Sequence, residues 1–211
     1  LADLRVGGLA RFSSCDWPGR LVATVFLQGC SWRCRYCHNP HLLPTQSGNE
    51  MSWRDVLAFL DTRRRLLDGV VFSGGEPTVQ AALLEAVRAV RELGFEVGLH
   101  TSGAAPHRLA SLLPLLDWVG FDVKAPFGEY ERITGVAGSG EAAAASLSLL
   151  IGSGVACDLR TTRHPALLDE GALARLSADL AELGVTARQQ PFRAEGCADA
   201  ELIELTVSAI G

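Results

Sequence analysis

A chain of 211 residues, 48% of them hydrophobic, has the length of one ordinary domain and can bury a sizeable core. Its net charge of -5 argues against a broad nucleic-acid surface, because neutralising phosphates takes an excess of Lys and Arg. No apolar run approaches the length of a membrane span, and Leu1 to Gly8 carries Asp3 and Arg5, so neither a membrane nor an export segment is expected; the six cysteines are expected in a reducing cytoplasm, as thiols or metal ligands rather than disulfides.

Six apolar, β-branched runs predict strands: Leu21 to Gln28, Val70 to Ser73, Glu96 to His100, Trp118 to Lys124, Cys157 to Thr162 and Thr186 to Phe192. Segments of helical period alternate with them. Ser52 and Asp55 form a capping box before the face Trp53, Val56, Leu57, Leu60, and the run Arg63-Arg64-Arg65 reads as the solvated end of that helix. Val79, Leu83, Val87 and Val90 mark a second helix stopped by Gly94, and Leu173, Leu176, Leu180 and Leu183 mark a later one stopped by Gly184. Further helices are expected over Pro106 to Leu116, Glu141 to Ile151 and Ala198 to Ala209, with a flexible loop over Gly135 to Gly140.

Strands separated by helices imply a parallel α/β sheet, because parallel neighbours need crossover connections. A complete eight-fold barrel takes about 250 residues, so this chain predicts a partial, about six-stranded parallel β/α barrel spanning residues 1–211 as a single domain; an open doubly wound sheet is the runner-up. Both place the active site at the carboxyl ends of the strands. Cys30, Gly74-Gly75-Glu76, Thr101, Asp122 with Lys124, and Arg160 all fall at that rim.

The densest chemistry lies at Cys30-Ser31-Trp32-Arg33-Cys34-Arg35-Tyr36-Cys37-His38-Asn39-Pro40. Three thiols on one short loop point to an iron-sulfur cluster or to a zinc site with His38 as fourth ligand, and with three near ligands the fourth position comes from afar or stays open. Taken alone, Gly74-Gly75-Glu76 reads as a strand-to-helix turn, and Asp122 with Lys124, two apart on a strand, as a surface pair or a rim site. Cys15, Cys157 and Cys197 read as small buried residues or free thiols, His100 as a satisfied core imidazole or a polar site residue, and the four tryptophans as packing or interface surface.

The spacing Cys30-x3-Cys34-x2-Cys37, with Tyr36 before the last cysteine and Gly-Gly-Glu after the second strand, resembles the cluster motif of the radical S-adenosylmethionine (radical SAM) enzymes. Asp16-Trp17-Pro18-Gly19-Arg20, Phe26-Leu27-Gln28-Gly29-Cys30 and Cys37-His38-Asn39-Pro40 are similar to the glycyl-radical-enzyme activases, above all those of anaerobic ribonucleoside-triphosphate reductase. The resemblance implies a [4Fe-4S] cluster on Cys30, Cys34 and Cys37 whose free iron chelates SAM, and reductive cleavage of SAM to a 5'-deoxyadenosyl radical that removes a hydrogen atom from a partner's glycine. It also implies roles for other residues. Gly74, Gly75 and Glu76 meet the SAM amino group, Tyr36 neighbours the adenine, Thr101, Asp122 and Lys124 contact SAM, Arg160 lies near the nucleoside, and Asp16 positions the substrate glycine.

Two positions depart from the pyruvate formate-lyase activase pattern. His100 stands where that pattern has an aspartate, which leaves a monovalent-cation site in question, and Arg193 stands near where that pattern has a SAM-contacting histidine, which leaves that contact in question too. The expected partners are a glycyl-radical enzyme, with anaerobic ribonucleotide reductase first, and a flavodoxin-like electron donor. A small-molecule radical SAM enzyme akin to the carboxy-deazaguanine synthases and a non-catalytic metal-binding module are the alternatives.

Overall fold

The computed structural model describes residues 4–208. Seven strands form one sheet, each beside its sequence neighbours: β1 (Val6–Ser13), β2 (Val22–Leu27), β3 (Gly69–Gly74), β4 (Glu96–Thr101), β5 (Trp118–Asp122), β6 (Ala156–Arg163) and β7 (Arg188–Pro191). The six predicted strands are β2 to β7, all parallel, and β1 is an antiparallel seventh that the sequence reading missed. Two glycines and two register shifts against β2 erase any period of two in β1.

A doubly wound sheet reverses its strand order at one point. The strictly sequential order here excludes that alternative, and right-handed crossovers then put the helices on one face and curl the sheet into a partial barrel. The barrel is open, with β1 and β7 as its edges.

The helices are α1 (Trp53–Asp61), α2 (Leu83–Glu92), α3 (Pro106–Leu112), α4 (Tyr130–Thr134), α5 (Ser139–Ser153), α6 (Glu170–Glu182) and α7 (Ala200–Ser208). Ala209, the last residue of the expected tail helix, lies outside the described residues. Several local expectations are corrected. The Ser52 hydroxyl caps nothing, whereas Asp169 caps α6 by accepting from the Ala172 N–H at 2.7 Å. The helix from Pro106 stops at Leu112 and tightens into a 3-10 turn, because Pro114 has no N–H to donate. The arginine run lies beyond the end of α1, and the expected loop over Gly135 to Gly140 is a tight junction between α4 and α5. Among the described residues no helix is long and apolar enough to cross a membrane.

The period of two divides the sheet into two faces. Val25, Leu27, Val70, Phe72, Leu99 and Phe121 pack under the helices in the main core. The alternate residues face the barrel interior, where Val22, Val71 and Trp118 form a separate cluster with Trp17. Trp17 belongs to the connection between β1 and β2, which therefore tucks into the barrel and closes its floor. The Trp17 and Trp118 rings stack with centroids 5.5 Å apart and planes 17° apart.

Glycine makes the room for this stack. A Cβ on Gly98 would lie 2.9 Å from the Trp17 ring, and one on Gly120 would lie 2.8 Å from both Trp118 and His100. Gly→Ala in a strand ordinarily stabilises by roughly 0.5–1 kcal/mol, but here overpacking against a fixed ring outweighs that gain. Gly98→Ala is expected to destabilise by about 1–3 kcal/mol in urea unfolding; an unchanged or raised midpoint would refute this account of the floor.

Candidate functional site

The cysteine loop leaves β2 and is closed by its own backbone. Gln28 donates its side-chain amide to the His41 and Pro44 carbonyls at 3.0 and 2.8 Å, while the Gly29 and Cys30 N–H groups donate to the Leu42 and Leu43 carbonyls at 2.7 and 3.1 Å. On its other side the loop borrows the end of α4: Arg33 N–H and Arg35 N–H donate to the Thr134 and Ile133 carbonyls at 2.8 and 3.2 Å. These are carbonyls that a helix end leaves without an intrahelical partner. Trp32 is buried edge-on against Tyr130.

The turn after β3 runs against this loop at backbone distance. A Cβ on Gly75 would lie 2.3 Å from the Gly29 carbonyl oxygen, and Gly74 has φ +118°, so side chains at both positions are barred by the approach itself. Glu76 N–H then donates to the Gly29 carbonyl at 2.9 Å. The Glu76 carboxylate is 1% exposed and accepts five hydrogen bonds. Thr78 N–H, Thr78 Oγ1 and Thr101 Oγ1 donate to Oε1 at 3.1, 2.6 and 2.6 Å, and Ser102 N–H and Oγ donate to Oε2 at 2.8 and 2.7 Å.

The carboxylate is thus saturated from within, and the Thr101 hydroxyl is turned toward it. At this corner the groups left to meet a ligand are backbone atoms of the Gly74-Gly75 turn. Across the rim, Arg160 Nε meets Asp122 Oδ1 at 3.1 Å, the two being register partners on β6 and β5. Lys124 Nζ lies 5.3 Å from the centroid of the buried Tyr36 ring. Burial pushes the Lys124 ammonium down, and the negative field of its acidic neighbours, Tyr36 and Cys34 when ionised and the Asp122 carboxylate, pushes it up by more, to above the ordinary ammonium value. Burial pushes the Tyr36 phenol up, so it stays neutral.

All twelve residues singled out from the sequence line one cavity of about 320 Å³ at the carboxyl ends of the strands. They are Asp16, Cys30, Cys34, Tyr36, Cys37, Gly74, Gly75, Glu76, Thr101, Asp122, Lys124 and Arg160. The cavity also includes residues that the sequence reading passed over, among them Ser73, Ser102, Thr162 and Gln190. Thr24 and Ser73 had a signal, being hydroxyls at inward positions of otherwise apolar strands. His100 has both ring nitrogens engaged, by the Asp16 carbonyl at 2.7 Å and the Ser73 hydroxyl at 3.4 Å.

His38 contacts the Arg193 carbonyl through Nε2 at 2.9 Å and stacks on Phe192, rather than completing a metal site. All six cysteines are unpaired; of the two readings for the scattered three, free thiols holds, since Cys15 and Cys157 are exposed and Cys197 is half-buried.

The three cysteines suit a cluster better than a single ion. Burial, with Glu76 next, pushes the Cys30 thiol up to about 12, and burial also raises Cys34. Such thiols stay protonated unless a bound cation stabilises the thiolates. Zinc at about 2.3 Å from each sulfur holds its thiolates within about 4 Å of one another. Among the described residues no three Cys, His, Asp or Glu side chains converge to hold one ion. A cluster in which each thiolate takes its own iron needs them further apart. Arg35 braces the loop from the C-terminal side, pairing with Asp199 and Glu201 at 2.8 Å each.

The five donors around Glu76 generate a stability prediction. Glu76→Ala leaves them buried without an acceptor and is expected to cost about 3 kcal/mol or more, read as a fall in the urea midpoint; a loss below about 1 kcal/mol would show that the network is solvated.

Comparison with known proteins agrees with this site. The Radical SAM superfamily matches residues 24–171. A Methanocaldococcus jannaschii protein provisionally named a glycyl-radical enzyme activating enzyme is 31% identical over 208 residues, 95% of this chain and 85% of its own length. The pyruvate formate-lyase 1-activating enzyme of Escherichia coli is 33% identical over 143 residues, and the match spans 62% of this chain but only 58% of that enzyme. Among solved structures, native anSMEcpe with bound AdoMet superimposes with a TM-score of 0.63 over 79% of this chain and 49% of that one, at 17% identity, a likeness of fold. The chain belongs to the radical SAM superfamily and, within it, to the glycyl-radical enzyme activating enzymes, whose superfamily chemistry uses a [4Fe-4S] cluster and S-adenosylmethionine.

Proposed function

We propose that this protein is a radical SAM activase that installs a glycyl radical on a partner enzyme. The observation that carries the reading is that the three cysteines, the Lys124 ammonium and the Asp16 carboxylate face one cavity in a barrel left open between β1 and β7. In this reading Cys30, Cys34 and Cys37 hold the cluster, which supplies the electron for reductive cleavage of SAM to the 5'-deoxyadenosyl radical. Lys124, which has no ion-pair partner among the described residues, takes the SAM carboxylate. The Gly74-Gly75 backbone receives the ammonium, and Glu76 with Thr101 keeps that turn in place. Tyr36 walls the adenine, and Arg160 orients Asp122 toward the nucleoside hydroxyls.

The open flank favours a polypeptide substrate over a small molecule. A small-molecule site encloses most of its ligand in a cleft with a few placed polar groups, and a barrel without contact between its edge strands leaves one side to be completed by something larger. Asp16, which lines the cavity from the β1–β2 connection, is the group we assign to the incoming glycine loop. The partner we propose is anaerobic ribonucleotide reductase, on the Asp16 to Arg20 and Cys37 to Pro40 motifs and on His100 and Arg193 at the two departing positions. The names of the Escherichia coli and Clostridium pasteurianum relatives point instead to pyruvate formate-lyase, and this chain spans somewhat more than half of each. A flavodoxin-like donor in a reducing cytoplasm completes the proposal.

The reconstituted, reduced protein mixed with SAM and each of the two partners in parallel is expected to give the glycyl doublet by electron paramagnetic resonance with the reductase. Cys34→Ala should abolish it. Consumption of SAM without a radical on either partner, or turnover of a metabolite with no protein partner, would count against the activase; a signal with the lyase alone would reassign the partner. Lys124→Met is expected to weaken SAM binding by about tenfold or more, the scale of one charge-assisted hydrogen bond, in equilibrium dialysis with the oxidised enzyme; unchanged affinity would remove Lys124 from the carboxylate site.

A further inference from the structure

Asp16 lies in the connection that dips into the barrel, not on a strand, and its orientation depends on a few contacts. Its N–H donates to Ser13 Oγ at 3.2 Å, and its carboxylate Oδ2 accepts from the Thr24 hydroxyl at 2.6 Å. Both contacts come from the strands that flank it in sequence. The third comes from across the barrel: His100 Nε2 on β4 lies 2.7 Å from the Asp16 carbonyl oxygen. A carbonyl only accepts, so Nε2 carries the proton, and Nδ1 is left to accept from Ser73 Oγ at 3.4 Å. The imidazole is set by Trp118, edge-on at 5.4 Å, and by Gly120, where any side chain would strike it.

We propose that His100 is a positioning residue for the substrate: its Nε2–H bond to the Asp16 carbonyl fixes the inserted connection so that the Asp16 carboxylate is presented to the incoming glycine loop. Trp17 fixes how deeply the connection enters, through its stack on Trp118. The His100 bond fixes the rotation of the peptide plane between Asp16 and Trp17, and with it the direction of the Asp16 side chain. The charged groups facing the imidazole are Arg160, Asp122 and Asp16 itself. Burial and then Arg160 favour the neutral ring over the opposing pull of Asp122 and Asp16. The role assigned here rests on the reading of Asp16 above, whereas the bond does not.

The test compares wild type, His100→Leu, His100→Gln, Asp16→Asn and the His100→Leu/Asp16→Asn double variant as reconstituted holoenzymes. The substrate is a synthetic peptide carrying the partner's glycine loop. His100→Leu is expected to raise the peptide KM about five- to tenfold, the scale of one hydrogen bond, with the larger share of the loss in KM rather than kcat. His100→Gln, whose amide can reach the same carbonyl, should recover most of it, and His100→Leu should add little once Asp16 is Asn. A wild-type KM in His100→Leu, equal losses in the Leu and Gln variants, or additivity with Asp16→Asn would overturn the proposal. Long-range proton-nitrogen NMR of the oxidised wild-type holoenzyme decides the bond even if the Leu variant does not fold. A neutral Nε2–H imidazole is expected, and an Nδ1–H tautomer refutes it. If the wild type acts on no glycine peptide, the activase reading fails while the tautomer still judges the bond between His100 and Asp16.

Discussion

Trp17 stacked on Trp118 fills the barrel from the inside, and most of what makes the cavity a site follows from that contact. An open half-barrel has too few strands to fill its own interior with their side chains. The chain solves this by folding the β1–β2 connection inward and clearing space for it with Gly69, Gly98 and Gly120. A buried tryptophan of this kind contributes on the order of 3–5 kcal/mol relative to alanine, enough to hold a loop that would otherwise be solvated. Because Asp16 precedes Trp17, burying the ring carries the carboxylate into the barrel with it.

Above this floor the site is held by buried hydrogen bonds and by close backbone approach. The Gly74-Gly75 turn lies against the cysteine loop at backbone distance, and Glu76 ties both to the end of β4. The ion pairs of Arg35 with Asp199 and Glu201 act on the same loop from outside. They are half-exposed, and pairs of that kind are worth about 0–1 kcal/mol each. The buried network decides the geometry of the loop, and the outer pairs set only how its far side is covered by the C-terminal segment.

The charges in the cavity are distributed by the same logic. Glu76 is saturated by five donors and Asp122 is neutralised by Arg160 through one oxygen, while Lys124 keeps its charge beside a neutral phenol. Among the charged groups lining the cavity, Lys124 at the rim and Asp16 on the floor are the two without an ion-pair partner among the described residues and without the saturation of Glu76.

The cysteine spacing, Gly-Gly-Glu and the six parallel strands were legible in the sequence because each depends on residues close together in the chain, read against a period of two or 3.6. Those local patterns also placed eleven of the twelve candidate residues at one rim, since each lies late on a predicted strand or in the loop that follows one, whereas Asp16, ahead of the first predicted strand, came from the motif resemblance alone. The seventh strand was not legible: β1 has no alternation of its own and exists through pairing with β2. The same holds for the saturation of Glu76, the pairing of Asp122 with Arg160 and the bond from His100 to the Asp16 carbonyl, which join residues 25 to 84 positions apart. Sequence alone determined which chemistry this chain carries. Tertiary structure decided which of its polar groups are spent on holding the fold and which are left free, because a hydrogen bond between distant strands leaves no mark on the periodicity of either.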